Sequence, residues 1–125
     1  TELIFAANTT FSSGTLIPDS ISNIMKELEK RFNSRISLSK LASENAISKF
    51  HLVREFKKYT GYTPNEYLIN CRISHAKKLL KYSDHSVSEI AITVGIENVS
   101  HFINLFKSRE QLTPLTYRKQ WQKQN

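Results

Sequence analysis

Arg54 and Asn104 stand fifty residues apart in the same local setting. Each follows a β-branched side chain (Val53, Ile103) and precedes a lysine by three residues (Lys57, Lys107). Neither is a nucleophile or a general base. A guanidinium offers paired N–H donors that match O6 and N7 of guanine, and a carboxamide offers the donor and acceptor that match the edge of adenine. Lys49 and Lys57 suit phosphate oxygens, while Phe50 and Val53 suit thymine methyls or sugar. The chemistry on offer is non-covalent recognition of double-stranded DNA. One face comprises Lys49, Phe50, Val53, Arg54 and Lys57. At the equivalent positions the second has Val99, Ser100, Ile103, Asn104 and Lys107. It is less basic and is expected to read fewer bases.

Other chemistries find little support. His51 and His101 match within the repeat, but a helix-turn-helix pair would hold them on separate subdomains, so they are read as lying near a DNA backbone or as polar partners in a turn. His75 and His85 have no companions at metal-ligand spacing. Cys71 lies beside apolar residues and is read as a small buried hydrophobe; a single cysteine permits no internal disulfide and fits a reducing, cytoplasmic compartment. With three glycines in all there is no glycine-rich phosphate loop. No catalytic residue, metal or cofactor is expected. The net charge of +7 favours a polyanionic partner, and no apolar run is long enough to span a membrane.

The elements that must position the two faces form a repeat. SLSKLASENAIS (37–48) parallels SVSEIAITVGIEN (86–98), and FKKYTGYTP (56–64) parallels FKSREQLTP (106–114). Each copy reads as a short helix, a tight turn, a second helix of about 12 residues and a Thr-Pro start to another helix. Ser86 and Glu89 have capping-box spacing, and Ser48 and Asn98 are N-cap types. Gly95 suits a left-handed turn residue, with Asn45 in roughly that place in the first copy. Leu52, Phe56 and Tyr59 fall on the inward side of the first long helix.

Between the copies, Pro64, Ile69, Ile73, Ala76 and Leu80 mark a linker helix over about 64–82, a rod of roughly 27 Å, broken by Ser83, Asp84 and His85. Ahead of the repeat, Ile21, Ile24, Met25, Leu28 and Phe32 mark a helix capped by Asp19 or Ser20, ending near Asn33, with Lys26, Glu27, Glu29 and Lys30 outward. Trp121 is expected to cap the core of a short last helix. The expected fold is all-α, about seven helices, with helix-turn-helix one over about 37–60 and helix-turn-helix two over about 86–110. The chain begins with Thr1, not Met, and residues 1–18 read as a linker or the tail of a missing upstream domain.

From Ile36 to Trp121 the sequence resembles the DNA-binding domain of the AraC/XylS family of bacterial transcription regulators. The resemblance rests on SKFHLVREFKKYTGYTPNEYL, then Arg72, Ala76 and Leu80, then SVSEIAITVGI, HFINLFK, LTP and Tyr117-Arg118. It implies two helix-turn-helix subdomains joined by a long helix, binding successive major grooves, and a separate sensor or dimerisation domain upstream. The chain departs from the family pattern at Ile96, where the pattern has Phe, and at Gln111, where it has Gly. If the backbone at Gln111 keeps a positive φ, a non-glycine residue costs about 1 kcal/mol there; otherwise that turn has its own shape. A helical protein-interaction module meeting an acidic partner such as RNA polymerase is the alternative reading.

Overall fold

A computed structural model describes residues 16–124, and the stretch 1–15 read above as linker or tail lies outside them. Among the described residues all regular structure is helical: α1 (Asp19–Lys30), α2 (Leu38–Glu44), α3 (Lys49–Thr60), α4 (Pro64–Tyr82), α5 (Val87–Thr93), α6 (Val99–Glu110) and α7 (Pro114–Gln124). The chain divides into two compact units, with the boundary between Cys71 and Arg72, inside α4.

The first unit is built around α3. Leu52 and Phe56 are fully buried and meet Ile21, Ile24, Met25 and Leu28 of α1, Leu41 and Ala42 of α2, and Tyr67, Leu68 and Cys71 of α4. Tyr59 packs against this core from its edge. The amphipathic pattern of α1 is as expected, but its ends differ. The N-cap position is Pro18, whose carbonyl accepts from the Ser22 N–H at 3.0 Å. Asp19 therefore sits inside the first turn, where its carboxylate complements the helix dipole. The helix stops at Lys30 rather than near Asn33, because the chain turns at Arg31 and Ser34 closes onto the Arg31 carbonyl. Glu29 does not face simply outward: it is half-buried and accepts a hydrogen bond from the Tyr67 hydroxyl. Burial and this carboxylate hold the Tyr67 hydroxyl protonated far above the ordinary tyrosine range.

The second unit repeats the plan. Phe102 and Phe106 of α6 are fully buried, together with Ile73, Ala76 and Leu80 of α4 and Ile90 and Ala91 of α5. Val94 and Ile96 close the turn, the isoleucine filling the place where the family pattern has phenylalanine. Each unit sets a tyrosine ring edge-on to its central phenylalanine. Tyr67 stands 5.3 Å from Phe56, and Tyr117 stands 5.5 Å from Phe106. Arg118 donates from Nε to the Leu80 carbonyl at 3.1 Å and from Nη2 to the Ser83 carbonyl at 3.2 Å. The first bond satisfies a carbonyl in the last turn of α4, and the second holds the residue that follows the helix. Trp121 packs on Tyr117 with ring centroids 6.0 Å apart and carries the Lys81 ammonium 3.8 Å above its ring. It covers the tyrosine from outside and stays 37% exposed.

Candidate nucleic-acid interface

Each long helix of a pair is held at both ends. The Ser48 hydroxyl accepts from the His51 N–H at 3.0 Å, and the Asn98 carboxamide oxygen accepts from the His101 N–H at 2.9 Å. Both residues thus serve as the N-caps that their types suggest. At the other end the backbone turns left-handed at Gly61 (φ 83°) and at Gln111 (φ 65°), and both N–H groups donate at 2.8 Å to the carbonyl of the lysine four residues before. Gln111 therefore keeps the glycine-type turn and carries the conformational cost of a side chain there.

The short helices are fixed as firmly. Ser86 and Glu89 form a complete capping box at 2.8 and 3.1 Å, which draws the Glu89 carboxyl below its ordinary range. The left-handed turn residue of the first copy is Ala46 (φ 58°), matching Gly95 (φ 92°), and not Asn45. Asn45 keeps a negative φ and instead donates from Nδ2 to the Leu41 carbonyl at 2.9 Å. A carboxamide able to cap the preceding turn stays on the helix, and the kink falls to the next residue.

With the inward side chains locked in the cores, the faces left over are those expected to read DNA. On α3, Lys49, Phe50, Arg54 and Lys57 are exposed and Val53 is half-buried beside them. Phe50 is 76% exposed, a large apolar side chain with no place in the core. On α6, Ser100, Asn104 and Lys107 are exposed and Ile103 is half-buried, while Val99 stands half-buried in the place of Lys49. The α3 set shares one helix in the first unit, and the α6 set shares one helix in the second.

Sequence reading missed the surroundings of Arg54. Its Nη2 lies 3.3 Å from Nδ1 of His51, its Nε lies 3.6 Å from a carboxylate oxygen of Glu55, and its guanidinium sits 5.8 Å from the centre of the Phe50 ring. The i, i+3 spacing of His51 and Arg54 was the available signal, since such residues neighbour one another on a helix.

Two helix-turn-helix pairs, each with a capped second helix and a polar outward face, define a tandem helix-turn-helix protein. The family model described as "Helix-turn-helix domain" matches residues 41–120, and the chain belongs to this family in its AraC-type form. A bifunctional transcriptional activator/DNA repair enzyme, AdaA of Bacillus subtilis (strain 168), is 38% identical over 104 residues, which make up 82% of this chain and 49% of AdaA. The chain thus spans about half the length of that relative. The C-terminal domain of the two-component response regulator yesN from Fusobacterium nucleatum subsp. nucleatum ATCC 25586 is 33% identical. It superposes with a TM-score of 0.75 over 81% of this chain and 99% of that one. The DNA-binding domain of AdpA, a global transcriptional factor solved in complex with a target DNA, superposes with a TM-score of 0.80. It covers 86% of this chain and 97% of that one at 24% identity, a likeness of fold. No described helix is long and apolar enough to cross a membrane.

Proposed function

We propose that this chain is the DNA-binding output domain of a transcription regulator, with α3 and α6 each entering a major groove of double-stranded DNA. The observation that carries the reading is the outward face of α3. Arg54 and the exposed Phe50 stand between Lys49 and Lys57, on a helix whose opposite side is locked by buried Leu52 and Phe56. In this reading Arg54 pairs with guanine, Phe50 and Val53 meet thymine methyls or sugar, and Lys49 and Lys57 hold phosphates. On α6, Asn104 pairs with adenine, Lys107 holds a phosphate, and Ser100 and Ile103 complete a less basic surface. The DNA repair activity in AdaA's name stays with AdaA; the role proposed for this chain is binding, without catalysis.

The test is a gel shift with duplexes from a randomised library, in the presence of competitor DNA and at several salt concentrations. If about five to eight phosphates are neutralised, affinity falls by roughly 10³ or more between about 50 and 200 mM salt, and one motif is enriched. Retention without enrichment would favour an acidic protein partner, and a near-flat salt titration would remove the DNA reading.

A further inference from the structure

We infer that His51 is a positioning residue for base readout: its neutral imidazole holds the Arg54 guanidinium in the orientation that faces the bases. The inference deepens the proposed function and rests on its assignment of Arg54. A guanidinium carries donors and no acceptor. The contact of 3.3 Å between Arg54 Nη2 and His51 Nδ1 is therefore a hydrogen bond only when Nδ1 bears no proton. That assigns the tautomer with hydrogen on Nε2, since in a neutral imidazole one nitrogen donates and the other accepts.

The hold has three sides. His51 accepts from Nη2, the Glu55 carboxylate lies 3.6 Å from Nε, and the Phe50 ring lies 5.8 Å from the guanidinium carbon. Yet the Arg54 side chain is 62% exposed, so little packing restrains it. An exposed arginine gives up much rotamer freedom when it docks on a base. Ordering it beforehand reduces that loss on binding. Of the three contacts, the ion pair is partly solvated and weak, and the cation–π contact tolerates rotation of the guanidinium over the ring. The hydrogen bond to Nδ1 is directional and sets the plane. His51 is itself well placed for the task. Its backbone N–H is tied to the Ser48 cap at 3.0 Å, and the residue is half-buried at the first turn of α3. The second copy has His101 and Asn104 at the matching positions, and a carboxamide has an acceptor of its own as well as donors. The device therefore belongs to the first reading face.

The experiment compares this chain with its His51→Ala, His51→Asn and Arg54→Ala variants. The probes are the duplex that wild type selects from a randomised library, the same duplex with each G·C pair replaced in turn, and a random duplex. Asparagine places an oxygen acceptor close to the position of Nδ1. His51→Ala is expected to lower discrimination at one G·C pair by about fivefold, part of what a whole bidentate contact carries, with affinity for the random duplex unchanged. His51→Asn is expected to restore discrimination to within about twofold of wild type, a rescue that a purely structural histidine would not show. Equal thermal midpoints for the variants exclude a folding effect. If Arg54→Ala removes the discrimination and His51→Ala leaves it intact, the inference is overturned and the assignment of Arg54 stands. If His51→Ala weakens all duplexes alike, His51 is a phosphate contact and the inference is likewise overturned. If Arg54→Ala itself leaves discrimination unchanged, the base-reading assignment fails and this inference fails with it.

Discussion

The two units differ least where they are buried and most where they face outward. In the frame the match reaches individual hydrogen bonds. Gly61 and Gln111 close α3 and α6 with the same bond at 2.8 Å, and Tyr67 and Tyr117 donate from the backbone to Thr63 and Thr113 at 2.9 Å in both copies. On the outward faces, Lys49, Phe50 and Arg54 of α3 correspond in the repeat to Val99, Ser100 and Asn104 of α6. The frame is dictated by geometry that tolerates few side chains, since a capped helix over a packed core needs particular residue types at particular places. Under the proposed function the outward faces answer to a ligand and are free to differ.

Two matched positions show where even the frame diverges. The Tyr67 hydroxyl donates a hydrogen bond to the Glu29 carboxylate of α1. In the second unit the Tyr117 hydroxyl is buried and makes no hydrogen bond of full geometry among the described residues. Burial, with the Glu110 carboxylate adding to it, pushes its pKa up to about 12, and the Trp121 indole offsets only part of the rise. Lys77 stands near Tyr117, its ammonium 6.0 Å from the ring centre and 3.0 Å from Glu110.

The equivalence of the frames breaks if the two central phenylalanines are not equally needed. Phe56→Ala and Phe106→Ala are each expected to cost about 3–5 kcal/mol, read from denaturant unfolding. A small loss for one of them alone would mean that its unit is not packed around that ring. The tyrosines should part company. Tyr67→Phe removes a bond to a carboxylate and is expected to cost about 2 kcal/mol, whereas Tyr117→Phe removes an unsatisfied hydroxyl and is expected to be neutral or stabilising by up to about 1 kcal/mol. Equal losses in thermal denaturation would show that Tyr117 has a partner after all.

Smaller effects test the left-handed turns. Gln111→Gly is expected to stabilise by up to about 1 kcal/mol and Gly61→Ala to destabilise by a similar amount. A Cβ at Gly61 would meet nothing within 4 Å, so the cost there is conformational alone. Opposite shifts of the denaturant midpoint are the expected outcome; a destabilised Gln111→Gly would mean that the Gln111 side chain, which donates to the Ser108 carbonyl at 3.2 Å, matters more than its backbone.

The smallest effect concerns the short helices. Glu89 completes the box on α5, whereas the matching residue on α2 is Lys40, which gives only its backbone N–H to Ser37. The Glu89 pKa is depressed below its ordinary 4.5 in the folded chain. Its stabilisation is therefore present above that ordinary value and is lost as pH falls through the depressed one. The protection factors of the amides at the start of α5 should fall on acidification more than those at the start of α2, and equal responses would contradict the difference in capping.

Most of the frame was legible because its signals are local. The N-caps Ser48 and Asn98, the Ser86–Glu89 box and the span of α4 all rest on residues a few places apart, and each was found where its residue types point. The Tyr67–Glu29 and Arg118–Leu80 bonds each join residues separated by 38 positions, and periodicity within a helix carries no information on such pairs. At Ala46 propensity pointed one residue early, to Asn45, because asparagine favours the left-handed region in the absence of a competing bond, and here its carboxamide is engaged with Leu41. The candidate reading faces were legible as faces, since helical spacing decides which side the core claims. The hold on Arg54 was not, because it depends on rotamers.

The central claim is that one frame presents two different readouts. The direct measurement is selection of binding sites from a randomised duplex library by wild type, Arg54→Ala and Asn104→Ala in parallel. The account predicts an asymmetric site of two unlike boxes in wild type. Arg54→Ala should flatten preference at a guanine in one box, and Asn104→Ala should flatten preference at an adenine in the other. Each loss should be worth about 1–3 kcal/mol. A palindromic site, or two variants that erase the same base position, would contradict it.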